Sequence, residues 1–206
     1  MLKLSDVYIP GLPGQCGDKG TLHSYIEVYE ELFASFQDKP INFLEIGVHY
    51  GLSIQMWEKY FFNGTVWGID KNIVPGQYEF NNFIHGDCTD PSVYPQDVTY
   101  DIIIDDGSHL FEDQAAALEI LWPKLNPGGM YIIEDVIDLD VFKEYDIEPY
   151  TYRNVHKFVG NKDLLVEMIR KYRIRNYLKD NNFNYEFIGR IHIKNRMDDL
   201  LLVLRK

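Results

Sequence analysis

Acidic side chains stand at the ends of five short apolar runs of the chain. The runs read FLEIG, TVWGID, NFIHGD, YDIIIDD and MYIIED. Their acids, in chain order, are Glu45, Asp70, Asp87, Asp105 with Asp106, and Glu134 with Asp135. Carboxylates accept hydrogen bonds from sugar hydroxyls and bind hard divalent cations. One or two such acids could be helix caps, but an acid repeated at the end of five runs favours a binding crevice.

These runs have the composition of buried strands, and helical patterns separate them. Strands are predicted over 41–47, 65–70, 82–87, 100–106 and 130–135, and helices over 21–37, 52–62, 111–125 and 163–179. Apolar strands alternating with helices indicate a parallel sheet that is covered on both faces. Two strand-like runs, 185–195 and 198–206, predict a C-terminal hairpin. The predicted fold class is α/β: a doubly wound, mostly parallel, seven-stranded, Rossmann-like sheet with an antiparallel C-terminal strand.

The fourth and fifth of these strands bring three acids together. Neighbouring strands lie about 4.7–4.9 Å apart, so their carboxyl ends place Asp106 beside Glu134 and Asp135. Carboxylates this close repel one another, and a hard cation with oxygen ligands, Mg²⁺ first among them, removes that cost. The alternative is that these acids cap helices or pair with lysine or arginine elsewhere in the chain.

The first strand leads into a turn with two glycines, Gly47 and Gly51, in FLEIGVHYGLS. Glycine lets the backbone pass close to a ligand, although a tight strand–helix turn also explains it. The turn lacks the G-x-G-x-x-G pattern of a dinucleotide site. Asp70 ends the next strand, where a carboxylate can accept the two hydroxyls of a ribose. Together, the turn, Asp70 and Asp87 favour a nucleoside-like ligand.

Composition narrows the class of protein. The net charge is −12, which argues against a nucleic-acid partner because phosphate binding needs a basic face. Of the 32 acidic residues, 26 lie in 1–150, which indicates either two differently solvated faces or carboxylates that converge on a metal. Only two cysteines occur, Cys16 and Cys88, which excludes a disulfide framework and fits a cytoplasmic protein. No apolar run approaches the roughly 18 residues of a membrane span, so no membrane partner is expected. The 206 residues predict a single domain over 1–206.

The sequence resembles the class I S-adenosylmethionine-dependent methyltransferases, and more narrowly the metal-dependent sugar O-methyltransferases of the mycinamicin macrolide type. The resemblance covers about residues 18–136. Its segments are DKGTLHSYIEVYEELF, FLEIGVHYGLSIQMW, VWGIDKN, IHGDCTD, YDIIIDDGSHLFEDQ and LNPGGMYIIEDV. The pair DDGSH and PGGxYxIED is its most specific part. His49 stands where the family usually has a middle glycine.

The resemblance implies S-adenosylmethionine and Mg²⁺, or another divalent cation, as cofactors. It places Glu45, Gly47 and Gly51 at the methionine moiety, Asp70 at the ribose, and Asp87 with Cys88 at the adenine. The neighbours Val48, His49, Ser53, Lys71 and Asp105 complete the predicted cofactor site. It also makes Asp106, Glu134 and Asp135 the metal ligands.

His109, three residues beyond Asp106, is the predicted catalytic residue. Its reference pKa near 6.5 suits a general base that removes a proton from a metal-bound hydroxyl. A solvated or capping histidine, or a metal ligand, is the alternative. Hard Mg²⁺ prefers oxygen to imidazole nitrogen, which favours the base.

The predicted function is Mg²⁺-dependent O-methylation of a hydroxyl on a sugar or glycosylated small molecule by a class 2.1.1 enzyme. The alternatives are a catechol-like or other small acceptor, a non-catalytic cofactor-binding protein of the same fold, and a fold recruited to another reaction such as hydroxylation. An N-terminal lid and helix (1–37) and an insertion (136–160) are expected to bind the acceptor. His23, Tyr25, Tyr145, Tyr150, Tyr152 and His156 are weaker candidates for contacts with it. A homo-oligomer is also possible.

Overall fold

The sheet of this protein has seven strands in the order β3-β2-β1-β4-β5-β7-β6. The computed structural model describes residues 2–11, 17–136, 174–189 and 199–206. The strands are β1 (Asn42–Ile46), β2 (Thr65–Asp70), β3 (Phe83–His85), β4 (Tyr100–Asp105), β5 (Leu125–Ile133), β6 (Tyr185–Gly189) and β7 (Leu200–Arg205). Pairing is parallel from β3 to β5, and β7 runs antiparallel to both of its neighbours. The predicted fold class is confirmed.

Helices cover both faces of this sheet. They are α1 (Leu4–Val7), α2 (Tyr25–Phe33), α3 (Leu52–Tyr60) and α4 (Phe111–Leu121), and residues 174–180 are also helical. Successive residues of a strand point to opposite faces. Phe43 of β1 therefore packs with Trp57 of α3 on one face, whereas Leu44 packs with Leu118 of α4 on the other. Burial on both faces explains why the strands read as continuous apolar runs.

Three predicted helices are shorter in the structure, and the one predicted over 52–62 ends at Tyr60. The helix predicted over 21–37 begins at Tyr25, because the carbonyl of Asp18 accepts hydrogen bonds from the amides of Thr21, Leu22 and His23 and holds a turn there. The helix predicted over 111–125 ends at Leu121. Leu125 already belongs to β5 and pairs with Tyr100, and a register shift in the β4–β5 pairing separates this pair from the next. The Pro-Gly-Gly signal therefore lies inside a strand and does not end the helix.

Four predicted segments extend beyond the described residues. These are the N-terminal lid, of which residues 1 and 12–16 lie outside, the insertion over 136–160, of which only residue 136 is described, the first part of the helix over 163–179, and residues 190–198 of the C-terminal hairpin. Tyr145, Tyr150, Tyr152 and His156 lie outside the described residues as well. In the parts that are described, no helix combines the length and apolar character needed to cross a membrane.

Candidate active site

A cavity of 340 Å³ opens beyond the carboxyl ends of β1, β2 and β4. This volume is at the lower end of the range for small-molecule sites, about 300–1,000 Å³, and the position is where open α/β sheets bind ligands. Most of the predicted site residues line it. They are Gly47, Val48, His49, Ser53, Asp70, Lys71, Asp87, Cys88, Asp106, His109 and Asp135.

The turn after β1 follows the path that its glycines permit. Gly47 has a φ of 89° and Gly51 a φ of 75°, in the left-handed region. A Cβ on Gly47 would collide with the carbonyl oxygen of Asp106, so the β1 turn and the end of β4 meet without room for a side chain. His49 adopts a φ of 46°, a conformation that glycine reaches without strain and that histidine adopts more often than most residues.

Asp70 is already bonded to the backbone of this turn. Its Oδ2 accepts from the amides of Val48 at 3.0 Å and His49 at 2.9 Å, and its Oδ1 accepts from the amide of Asn72 at 2.8 Å. A carboxylate has about four acceptor positions, so about one remains for a ligand. Asp70 therefore shapes the turn and can also accept one ribose hydroxyl, where the sequence predicts two.

Asp87 and Cys88 line the side of the cavity next to β3. Thr89 donates both its amide and its hydroxyl to Asp87 Oδ1, and these bonds lower the pKa of Asp87. Burial, together with the charges of Asp105 and Asp87, raises the pKa of the Cys88 thiol to about 12. Cys88 is therefore a neutral, weakly polar part of the wall.

Glu45 and Asp105 lie beneath the cavity and do not line it. Glu45 is fully buried and accepts from Ser53 Oγ at 2.7 Å and from Trp57 Nε1 at 3.4 Å. Asp105 is held by the amide of Gly107 at 3.3 Å and the hydroxyl of Tyr131 at 3.4 Å, and burial raises its pKa to about 6. They support the residues that line the cavity.

Three carboxylates converge beneath the cavity, and of these only Asp106 lines it. Single oxygens of Glu45, Asp106 and Glu134 lie within 4.8 Å of one another. Burial and the charge of Asp106 raise the pKa of Glu134 well above its usual range. This all-oxygen donor set suits a hard cation. It contains Asp106 and Glu134 from the predicted metal site, with Glu45 in the third place.

Lys19 is a site residue that the sequence analysis does not select. Its Nζ lies 2.6 Å from both Asp106 Oδ2 and Glu134 Oε1, and 3.4 Å from Glu45 Oε1. Burial by itself lowers the pKa of Lys19, but the charges of Asp106, Glu134 and Glu45 raise it well above its usual value. The acids are thus paired with a lysine, which is the alternative to a metal that the sequence leaves open. In the sequence, Lys19 is marked only by its place in the DKG motif, and it lies far along the chain from all three acids.

Asp135 and His109 face each other where the cavity lies next to these three carboxylates. His109 Nε2 lies 3.7 Å from Asp135 Oδ2 and 3.9 Å from Asp106 Oδ1. Both residues have left-handed backbones, with φ of 55° for His109 and 56° for Asp135. Such conformations cost energy and persist where surrounding contacts impose them, often at functional sites. The arrangement places an imidazole between two predicted metal ligands.

His23 and Tyr25, the weaker lid candidates, are buried beside Asp135. His23 stacks on Tyr25 with ring centroids 4.7 Å apart, and its Nε2 lies 3.5 Å from Asp135 Oδ1. Tyr25 donates to the same oxygen at 2.9 Å, and Tyr29 donates to Glu134 Oε1 at 2.6 Å. These side chains belong to the interior of the site. From the sequence, Tyr29 is predicted only to lie within the helix over 21–37, at a spacing typical of its apolar face.

Comparison with known proteins confirms the predicted resemblance. No protein-family model matches the chain. The 8-demethyl-8-alpha-L-rhamnosyl tetracenomycin-C 2'-O-methyltransferase of Streptomyces olivaceus is 36% identical over 147 residues, which cover 62% of this chain and 38% of that protein. The chain therefore spans well under half the length of this curated relative.

Two solved structures extend the comparison. The MycE methyltransferase from the mycinamycin biosynthetic pathway, in complex with Mg and SAH, is 29% identical with a TM-score of 0.55, over 64% of this chain and 35% of that one. The SAH-bound Podospora anserina methyltransferase PaMTH1 has a TM-score of 0.63 over 98% of this chain and 86% of its own. At 12% identity, the second likeness shows the fold alone.

Proposed function

We propose that this chain, a class I methyltransferase domain of the tetracenomycin and mycinamycin sugar O-methyltransferase type, methylates a hydroxyl of a sugar or glycosylated small molecule. S-adenosylmethionine is the proposed methyl donor and Mg²⁺ the proposed metal. One observation carries the proposal: His109, Asp106 and Asp135 line the same cavity as Gly47 and Asp70. The residues for a nucleoside-like cofactor and those for hydroxyl activation thus share one space.

The cofactor end of the cavity is built from the β1 turn. Gly47 and Gly51 keep the turn free of side chains, and the remaining acceptor position of Asp70 suits one ribose hydroxyl. Asp87 and Cys88 offer a mixed polar and apolar wall for the adenine. Val48, His49, Ser53 and Lys71 complete this end, and Glu45 and Asp105 support it from beneath.

Asp106, Glu134 and Asp135 would hold the metal at the other end. When bound there, a divalent cation lowers the pKa of an acceptor hydroxyl and fixes its position. Lys19 lies against Asp106, Glu134 and Glu45 and balances part of their negative charge in the protein itself. The oxygen donors of this end suit Mg²⁺ better than a softer ion.

His109 would remove the acceptor proton. In the proposed transfer the hydroxyl oxygen bonds to the methyl carbon, the carbon–sulfur bond breaks to leave S-adenosylhomocysteine, and the hydroxyl proton passes to His109 Nε2. That nitrogen faces Asp106 Oδ1 and Asp135 Oδ2, whose negative charge stabilises the imidazolium that forms. The sugar relatives favour a sugar acceptor over a catechol-like one. Residues 1–37 and 136–160 are proposed to contribute to the acceptor wall.

An acceptor screen tests the proposal. The purified protein is incubated with S-adenosylmethionine, Mg²⁺ and panels of glycosides, sugar nucleotides and catechols, and products are read by mass spectrometry. Methyl transfer replaces H by CH₃ and so raises the mass of the acceptor by about 14 Da. S-adenosylhomocysteine should form in an equal amount. A glycoside product supports the proposal. Methylation of catechols alone would overturn the acceptor class, and cofactor binding without any product would favour the non-catalytic alternative.

A further inference from the structure

Two tyrosines of α2 contact the two acids that directly follow β5. Tyr25 and Tyr29 are one helical turn apart and so lie on the same face of the helix. Tyr25 donates to Asp135 Oδ1 at 2.9 Å, and Tyr29 donates to Glu134 Oε1 at 2.6 Å. A single helix face therefore contacts a consecutive pair of proposed metal ligands, 105 and 110 residues further along the chain.

The contact with Asp135 is reciprocal. The amide of Asp135 donates to Tyr25 Oη at 3.2 Å, while the hydroxyl of Tyr25 donates to the Asp135 carboxylate. The phenol thus holds both the backbone and the side chain of a residue whose φ is 56°. The hydroxyl of Tyr25 therefore fixes Oδ1 of Asp135, while Oδ2 of the same carboxylate faces His109 Nε2 at 3.7 Å.

Both phenol rings are held by packing. Tyr29 is fully buried, stacks on Phe33 at 5.0 Å and meets the edge of Trp57 at 5.4 Å. Tyr25 is 1% exposed and stacks on His23. Burial, followed by the charges of the neighbouring acids, raises the pKa of both phenols well above the usual range, so each remains a donor. Rigid donors of this kind orient carboxylates without contacting the reactants.

We infer that Tyr25 and Tyr29 are positioning residues for the metal, each fixing one oxygen of a carboxylate so that the other can face the cation. The inference rests on the proposed function, since it requires Glu134 and Asp135 to bind a metal. Hydrogen-bond partners of metal ligands typically change metal affinity by about 10- to 100-fold when removed. Neither tyrosine lines the cavity, so their effect passes through the acids.

The test compares Tyr25→Phe and Tyr29→Phe with Tyr100→Phe. Tyr100 is also fully buried, but its hydroxyl has no hydrogen-bond partner among the described residues and it begins β4, at the end opposite Asp106. Binding of Mn²⁺ is followed by electron paramagnetic resonance with S-adenosylhomocysteine present, because free Mn²⁺ gives a six-line signal that bound Mn²⁺ loses. Calorimetry then measures affinity for S-adenosylhomocysteine.

The inference predicts that Tyr25→Phe and Tyr29→Phe each raise the Kd for Mn²⁺ by about 10- to 100-fold. Their affinity for S-adenosylhomocysteine should stay at the wild-type value, and Tyr100→Phe should bind Mn²⁺ as the wild type does. A purely structural role would lower Tm without changing the Kd for Mn²⁺. Wild-type Kd values for Mn²⁺ in both variants would overturn the inference and leave the proposed function standing. A wild type that binds no Mn²⁺ would overturn the metal assignment and the inference with it.

Wild-type protein labelled with 3-fluorotyrosine gives a second measurement if Tyr29→Phe does not fold. The resonance of Tyr25 is assigned as the one that is missing from the spectrum of labelled Tyr25→Phe. In the labelled wild type, this resonance should shift when Mg²⁺ is added. The resonance that Tyr100→Phe removes should stay in place. A Tyr25 resonance that does not respond to saturating Mg²⁺ would also overturn the inference.

Discussion

Lys19 Nζ lies 2.6 Å from Glu134 Oε1, although 115 residues separate the two in the chain. Asp106 Oδ2 lies at the same distance from this ammonium. One buried cation thus joins the N-terminal segment to the ends of β4 and β5. The side chains of Lys19 and Glu134 are only 4% and 2% exposed, so water and salt screen this ion pair little.

Replacing Lys19 by methionine should destabilise the protein by about 3–5 kcal/mol at neutral pH when divalent cations are chelated, because buried carboxylates lose their counter-charge. Burial already raises the pKa of Glu134 in the folded protein, so its contribution to the free energy of unfolding falls as pH rises from the unfolded value of about 4.3 towards that raised pKa. Lys19 opposes this shift, so its removal raises the pKa of Glu134 further and extends the fall to higher pH. The gap between variant and wild type should therefore widen from pH 5 to pH 8. Urea unfolding measures it.

Lys59→Met is the matched control, since Lys59 is exposed in the last turn of α3 and its loss changes the net charge equally. It should remain within about 0.5 kcal/mol of the wild type. Equal stability of the Lys19 and Lys59 variants at pH 8 would contradict the described ion pairs.

Asp70→Ala should weaken binding of S-adenosylhomocysteine. Removing one charge-assisted hydrogen bond to ribose costs about 1.5–3 kcal/mol, roughly a 10- to 150-fold higher Kd by calorimetry. Asp90→Ala is the control, because Asp90 makes a similar local bond to Ser92 outside the cavity. Unchanged affinity in a folded Asp70 variant would remove Asp70 from the cofactor site.

Cys88 should be a slow nucleophile. Because its pKa is raised to about 12, little thiolate exists at pH 8, and alkylation by iodoacetamide should be about 100- to 1,000-fold slower than that of an ordinary thiol. The rate should rise steadily from pH 8 to pH 10, and S-adenosylhomocysteine should slow it further by covering the cavity wall. Peptide mass spectrometry separates Cys88 from Cys16. Alkylation at the rate of glutathione would contradict the described environment.

The acids of the site could be predicted from the sequence because parallel strands end at one edge of a sheet. Asp106, Glu134 and Asp135 follow β4 and β5, which are neighbours in the structure. Asp70 is predicted at the same edge of the sheet for the same reason, but no sequence pattern shows that three backbone amides already occupy most of its acceptor positions.

Lys19 and the two α2 tyrosines could not be predicted in the same way. Their contacts join α2 and the turn before it to strand ends more than 80 residues away, and no local spacing records such a contact. The tyrosines fit the apolar pattern of a helix equally well as core residues. A sequence pattern predicts which face of a helix is buried. It does not predict the hydrogen-bond partner of a buried tyrosine hydroxyl, because tertiary packing determines that partner.

His109→Ala should lower kcat by about 10²- to 10⁴-fold while the affinities for cofactor and metal stay near wild type. If His109 instead binds the metal, excess Mg²⁺ should restore the rate. His85→Ala, which changes a histidine that does not line the cavity, is the control. Near-normal turnover in the His109 variant would leave the metal as the main activator of the hydroxyl.

The metal dependence of methyl transfer tests the proposed function most directly. Turnover of an accepted glycoside is measured by mass spectrometry in wild-type protein, first with excess chelator and then with added Mg²⁺. The site geometry predicts that turnover is lost in chelator and returns with Mg²⁺, while S-adenosylhomocysteine binding persists throughout. Full turnover in excess chelator would contradict the assignment of Asp106, Glu134 and Asp135 as metal ligands.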